Sequence, residues 1–239
     1  VEHHYSELRL HTVARDLGLD LSAVALRVRS EVRSANEFDL FIAMGNDLLP
    51  PCAGLGRVNI FHSQFPFPMS SADFFHRLAH VSDYSKVIVN SAFTQAAYEQ
   101  QRKKNRLPSV PVEVLHPCVA PPAPVDEEPV ERDIILSVGR IFAGGHNKRH
   151  DVLIRAFIEL LPELDGQPEL HIAGSLHPEA QHREWFLQLQ ELAAGHPIVF
   201  HLNTGADTLR MLYRRAVMYW HAAGFGVDVA EHPEQCEHF

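Results

Sequence analysis

The sequence predicts an α/β protein with two parallel-sheet domains, and three observations carry that prediction. From residue 39 onward, short apolar runs rich in β-branched residues alternate with longer segments of helical period. The runs are too short for helices and too uniformly apolar for half-exposed strands, which is the pattern of strands buried in a parallel sheet. A proline-rich interruption then divides the series, with four runs on each side of it.

Taken in order, the first ~35 residues read as polar and helical, with weak caps. The expected strands of the first domain are residues 39–43, 58–61, 86–89 and 112–115. Residues 120–130, with four prolines, three carboxylates and no periodicity, read as an extended linker. The expected domains are therefore 1–122 and 131–239, joined by a linker at 123–130. The second domain's strands are expected at 134–138, 170–173, 198–200 and 217–220. A helix over 151–161 would turn Val152, Leu153, Ala156, Phe157, Leu160 and Leu161 inward and stop at Pro162. A second, over 182–194, would bury Trp185, Phe186, Leu189 and Leu192 and end at Gly195. A third is expected over 207–215. Strand–helix alternation of this kind gives right-handed crossovers and a Rossmann-like layer in each half. No internal repeat of short period is visible.

At 239 residues, with 46% hydrophobic side chains, the chain can bury one large core or two modest ones. Its formal charge of −9 argues against a general nucleic-acid binder, which needs surplus Lys and Arg to replace phosphate counterions. The three cysteines are far apart, odd in number and without CxxC spacing, so unpaired thiols in a reducing compartment are expected. No apolar run approaches the ~20 residues of a membrane helix.

In open parallel sheets ligands bind beyond the carboxyl ends of the strands. Polar or glycine residues follow nearly every expected strand: His62 and Ser63, Asn90 and Ser91, Gly139 and Arg140, Gly174 and Ser175, His201, and His221. Two such rims facing each other would make a cleft. The segment after Val138 is the most informative. It offers Arg140, Gly144, Gly145, Lys148 and Arg149 just before a helix. Helix-start N–H groups favour anions, and forked and point-charge cations together suit a diphosphate. The plain alternative is a solvated basic turn.

Other chemistries find less support. GxxxxGK[ST] is absent, and "GLGRVN" at Gly54 and "GFGVDV" at Gly224 lack the third glycine of a dinucleotide fingerprint. His76 and His80, in "HRLAH" on an expected helix, have Arg77 where a zinc protease needs Glu. No serine sits in a GxSxG elbow. From the residues alone, His62 reads equally as a packed strand-end histidine and as a catalytic one.

Several stretches, in order along the chain, resemble family 4 of the retaining glycosyltransferases. "ILSVGRIFAGGHNKRHDVLIRAF" (135–157) resembles the start of its donor-binding domain and "LHIAGS" (170–175) the next strand. "LYRRAVMYWHAAGFGVD" (212–228) and "HPEQCEHF" (232–239) resemble the approach to its E-x7-E motif. "FDLFIA", "FHSQFPFP", "VIVNSAFTQ" and "VEVLHPCV" resemble the later part of its acceptor-side domain.

The resemblance implies a GT-B architecture, in which two Rossmann-like domains face a cleft, with both domains incomplete in this chain. It implies transfer of a hexose, with retention of configuration, from a UDP-, GDP- or ADP-linked donor to a glycan or lipid-linked acceptor. It further implies that no cofactor or metal is needed. Arg140 and Lys148 match the pair on the donor diphosphate. Glu237 matches the first motif carboxylate, on the donor sugar, and His62 the acceptor-side histidine near the reacting sugar. Gly224 and Gly226 match a donor loop more loosely. The second motif carboxylate would fall beyond Phe239. The resemblance thus makes the chain a piece cut inside its own signature, with little activity alone. A truncated, non-catalytic nucleotide-sugar-binding or interaction module is the alternative. A GT-B epimerase or phosphorylase fits less well, given "EHF" and no locatable pyridoxal lysine. Such enzymes are cytoplasmic, and those with lipid acceptors attach to the cytoplasmic face of a membrane, although no basic amphipathic helix is visible here to carry that attachment.

Overall fold

A computed structural model describes residues 20–25, 32, 37–118, 130–144, 147–164, 166 and 168–238. Most of the expected N-terminal helical segment, nearly all of the proline-rich linker and Gly145 lie outside the described residues. The chain divides into two compact units: Val1–Cys118 with His238–Phe239, and Val119–Glu237.

The first unit holds a four-stranded parallel sheet in the order β1-β2-β3-β4: β1 (Phe38–Asp47), β2 (Gly56–Phe67), β3 (Lys86–Val89) and β4 (Val112–Val114). Its core, on one face, gathers Ala43, Phe61, Val87 and Val89 from the strands with Tyr84, Tyr98 and Leu107. On the other face Leu40, Ile42, Met44 and Val58 remain about half exposed.

β1 and β2 are parallel, yet only residues 48–55 connect them, with no helix. Phe38 pairs with Gly56, so the connection must run back along the whole of β1. Eight residues reach roughly 30 Å when extended, about the length of that strand. The connection is short for that return, bends at residues 48–49 and 51–52, and buries Leu48, Leu49 and Leu55.

Two helices follow in this unit. α1 (Ser71–Leu78) begins where Ser70 Oγ accepts from Asp73 N at 3.1 Å and donates to Asp73 Oδ2 at 2.6 Å. α2 (Ala92–Lys104) begins where Ser91 Oγ accepts from Thr94 N at 3.1 Å.

The second unit's sheet has the order β7-β6-β5-β8, also all parallel: β5 (Ile134–Val138), β6 (Glu169–Gly174), β7 (Ile198–Leu202) and β8 (Ala216–Tyr219). Here both faces are covered. Ile135, Leu170 and Ile172 pack with Ile154, Phe157, Phe186 and Leu189 of α3 (His150–Leu160) and α4 (Ala180–Ala193). Ile134, Leu136 and Ala173 pack on the opposite face with Leu212 of α5 (Ala206–Arg215). α3 tightens into a 3₁₀ turn at Leu161–Glu163, where Pro162 sits. Leu160, expected inward, is 39% exposed, because at the helix's last residue the stripe has turned past the sheet. Gly195 takes φ +80 just after α4, the left-handed conformation that ends a helix at least cost.

Candidate functional site

Within the second unit, the residues beyond the carboxyl ends of β5 and β8 form one charged cluster. Gly139 N donates to Ala173 O at 2.9 Å, and Ile141 N to Ser175 O at 2.9 Å, so the β5 exit stays laced to the β6 exit. That lacing requires glycine: a Cβ on Gly174 would lie 1.9 Å from Gly139 O. A Cβ on Gly139 would lie 2.9 Å from Lys148 Cγ, so the Lys148 stem runs directly over this glycine.

Lys148 Nζ donates to Glu237 Oε1 in a part-buried ion pair, and His221 Nε2 lies 3.0 Å from the same oxygen. Two residues singled out from the sequence, 89 positions apart, are thus in direct contact. Glu237 is carried there by the 3₁₀ turn Pro233–Gln235 and by Cys236, whose Cα a Cβ on Gly224 would approach to 3.1 Å. Gly224 and Gly226 have φ +78 and +75 and shape the preceding turn, while Arg149 Nη1 donates to Phe225 O at 2.8 Å. Gly226 is exposed with open space around it.

Arg140 is exposed and, among the described residues, forms no ion pair. Its guanidinium carbon lies 5.7 Å from the centroid of the Phe142 ring. At α3 the N-cap is Arg149 at φ +54, without a side-chain cap; Val152 N in the first turn donates to Arg149 O at 3.0 Å. His150, the first helical residue, is 1% exposed and, among the described residues, has no hydrogen-bond partner on either ring nitrogen. Burial holds its pKa down at about 4, so it is neutral near pH 7.

His62 belongs to the first unit, on β2. Its Nε2 lies 2.8 Å from Asn90 Oδ1, while Asn90 Nδ2 donates to Gln64 O at 3.1 Å. The second bond fixes the amide so that its oxygen faces the ring. His62 therefore donates from Nε2, which in the neutral form of the ring leaves the lone pair on Nδ1. Asn90 was noted in the sequence only as a strand-end polar residue. His221 was noted likewise, and nothing in the chain pattern joins it to Glu237.

One further group has metal-ligating residue types: His177, Glu179 and His182, at the start of α4. Its chemistry does not suit a cation. Ala143 N donates to His182 Nδ1 at 3.0 Å, so the ring's proton sits on Nε2, the atom that would have to bind the metal. Metal-bound histidines instead donate from the second nitrogen.

No protein-family model matches the sequence, and no curated protein matches it. Solved structures do. The chain is similar to a UDP-forming α,α-trehalose-phosphate synthase from Burkholderia xenovorans, at 14% identity over 70% of this chain and 48% of that one, with a TM-score of 0.53. An α,α-trehalose-phosphate synthase (UDP-forming) from the same organism in complex with glucose-6-phosphate gives 16% identity, 68% and 46% coverage and a TM-score of 0.51. A trehalose-6-phosphate protein from E. coli bound with UDP-2-fluoro glucose gives 16%, 65%, 44% and 0.50. The fold is of the GT-B kind. The chain spans less than half the length of these proteins, and at such identities the likeness is one of fold. No described helix is long and apolar enough to cross a membrane.

Proposed function

We propose that the chain is the donor-handling part of a retaining glycosyltransferase that uses a nucleotide-linked hexose. The observation that carries this reading is the Lys148–Glu237 pair at the exit of a doubly covered β5, the strand that Arg140 also follows, exposed, and after which α3 starts without a side-chain cap. In transfer, the bond between the anomeric carbon and the diphosphate oxygen breaks and its electron pair goes to the diphosphate, while the acceptor's hydroxyl oxygen bonds the anomeric carbon and gives its proton to the departing diphosphate. Arg140 and Lys148 stabilise the charge that grows there, the work of a preorganised electrostatic site. Glu237 accepts hydrogen bonds from hydroxyls of the donor sugar. On the first unit, the Nδ1 lone pair of His62 accepts from a sugar hydroxyl, with Asn90 holding the ring. The GT-B fold, and relatives described as UDP-forming or bound with UDP-2-fluoro glucose, make a nucleotide sugar the favoured ligand class. The acceptor is a sugar hydroxyl, on a glycan or lipid-linked carrier.

Calorimetry of the 239-residue chain with UDP-, GDP- and ADP-linked hexoses tests the reading. One of them should bind, compete with its free nucleoside diphosphate, and bind more weakly to Arg140→Ala. If none of the three binds, or if Arg140→Ala binds as well as the parent, the reading is wrong.

A further inference from the structure

Lys148 Nζ and His221 Nε2 both approach Glu237 Oε1, and a donor diphosphate would compete for the first of them. Lys148 cannot easily follow both anions, because its stem is pressed over Gly139 and its amine already pairs with the carboxylate. A diphosphate arriving at that amine therefore meets Glu237 as a like charge. His221 Nε2 stands 3.0 Å from the same oxygen and can donate to it whether the ring is neutral or charged. The ring's place is fixed where the chain leaves β8: Trp220 N donates to Leu136 O at 2.8 Å, and the His221 ring lies parallel to Tyr219 at 6.4 Å.

We infer that His221 is the positioning residue for Glu237: as a donor diphosphate takes Lys148, the carboxylate passes to an imidazolium at His221, and binding draws a proton from solvent. This rests on the reading that Lys148 receives a diphosphate. Among the described residues whose contacts with the cluster are given, the other groups do not supply that charge. Lys148 is cationic already. His150, on α3, is kept neutral by burial. Its neighbour Asp151 is an anion whose nearest cation is Arg149, at 3.3 Å. The Tyr219 phenol, raised by burial, stays protonated and donates to Val138 O at 3.1 Å. Histidine is the side chain built to change charge near neutrality.

The experiment is calorimetric titration of the full chain with UDP, GDP, ADP and inorganic pyrophosphate at pH 7. Each is run in two buffers of different ionisation enthalpy, so that proton uptake is read directly. The parent should take up a sizeable fraction of a proton more than His221→Gln, which keeps an N–H for the carboxylate but cannot charge. His221→Asn should behave likewise. Glu237→Gln should also lose the uptake and should bind several-fold tighter, since Lys148 is released. Protonation of the ligand's own phosphate is common to all variants and cancels in the difference. Melting temperatures confirm that each variant is folded, and the two His221 substitutions guard against a single misfolded one. Equal proton uptake in parent and His221 variants, with binding still weakened by Lys148→Met, overturns this inference and leaves the diphosphate reading standing. Absence of binding by every probe, or binding indifferent to Lys148→Met, overturns both.

Discussion

Both sheets are four parallel strands, yet Leu136 on β5 is fully buried while Ile42 on β1 is 52% exposed. The second sheet has helices against both faces, and the first has its described core on one. The polar chemistry differs in the same direction. At the end of the doubly covered sheet stands an ion pair with a histidine beside it. On the half-covered face of the first sheet stands a hydrogen-bonded pair, His62 held by Asn90. A strand packed on both sides cannot shift, so it can hold opposed charges at fixed distance. A strand with an open face relies on an amide to keep its histidine in one tautomer.

The largest expected effect separates the two sheets by stability. Leu136→Ala should cost about 2–5 kcal/mol by urea unfolding, the range for emptying a closed core site. Ile42→Ala, at a half-exposed position, should cost under about 1 kcal/mol. Equal losses would mean that the open face of β1 is covered in solution. Next comes the charge cluster. Arg140→Ala should weaken nucleotide-sugar binding about 10- to 100-fold, the worth of a charge-assisted contact. Lys148→Met should weaken it less, because part of what Lys148 gains from phosphate it gives up with Glu237. The reverse order would remove the Lys148–Glu237 exchange.

Acid sharpens the comparison further. The folded state holds His150 at a pKa of about 4, below the 6.5 of an ordinary histidine, so the unfolded chain binds more protons between those values. Stability contributed by neutral His150 is full above about pH 6.5 and is lost as pH falls toward 4. His150→Leu should flatten the fall of the urea midpoint over that window, and an unchanged slope would place the acid sensitivity elsewhere. The smallest effect belongs to Asn90→Ala. It should leave the fold intact and only free the His62 ring to choose its tautomer. Nitrogen chemical shifts of His62 report that choice directly.

Much of the fold was legible because parallel strands advertise themselves. Each expected run falls on an observed strand, with ends displaced by a few residues, as at β2, which runs on through Phe67. α2 was harder to see. It buries only Thr94, Ala97 and Tyr98 and carries little apolar period, although Ser91 three residues before Thr94 was a readable cap. Arg140, Lys148, Glu237 and His62 came from residue type, strand-end position and resemblance. The sharing of Glu237 by Lys148 and His221 did not, because residues 148, 221 and 237 meet only when β5 and β8 pair. The burial of His150 was hidden likewise, since a histidine at a helix start beside Lys148 and Arg149 reads as solvated.

The short segment 48–55 acts as a ruler for the fold. Surface loops usually tolerate an inserted or deleted residue at small entropic expense. Here, removing one residue would shorten a helix-less connection that must return to Gly56 opposite Phe38, and a slip of one position would turn every side chain of β2 to the wrong face. Gene variants with length changes should therefore be purged from this stretch while point substitutions at its exposed positions persist.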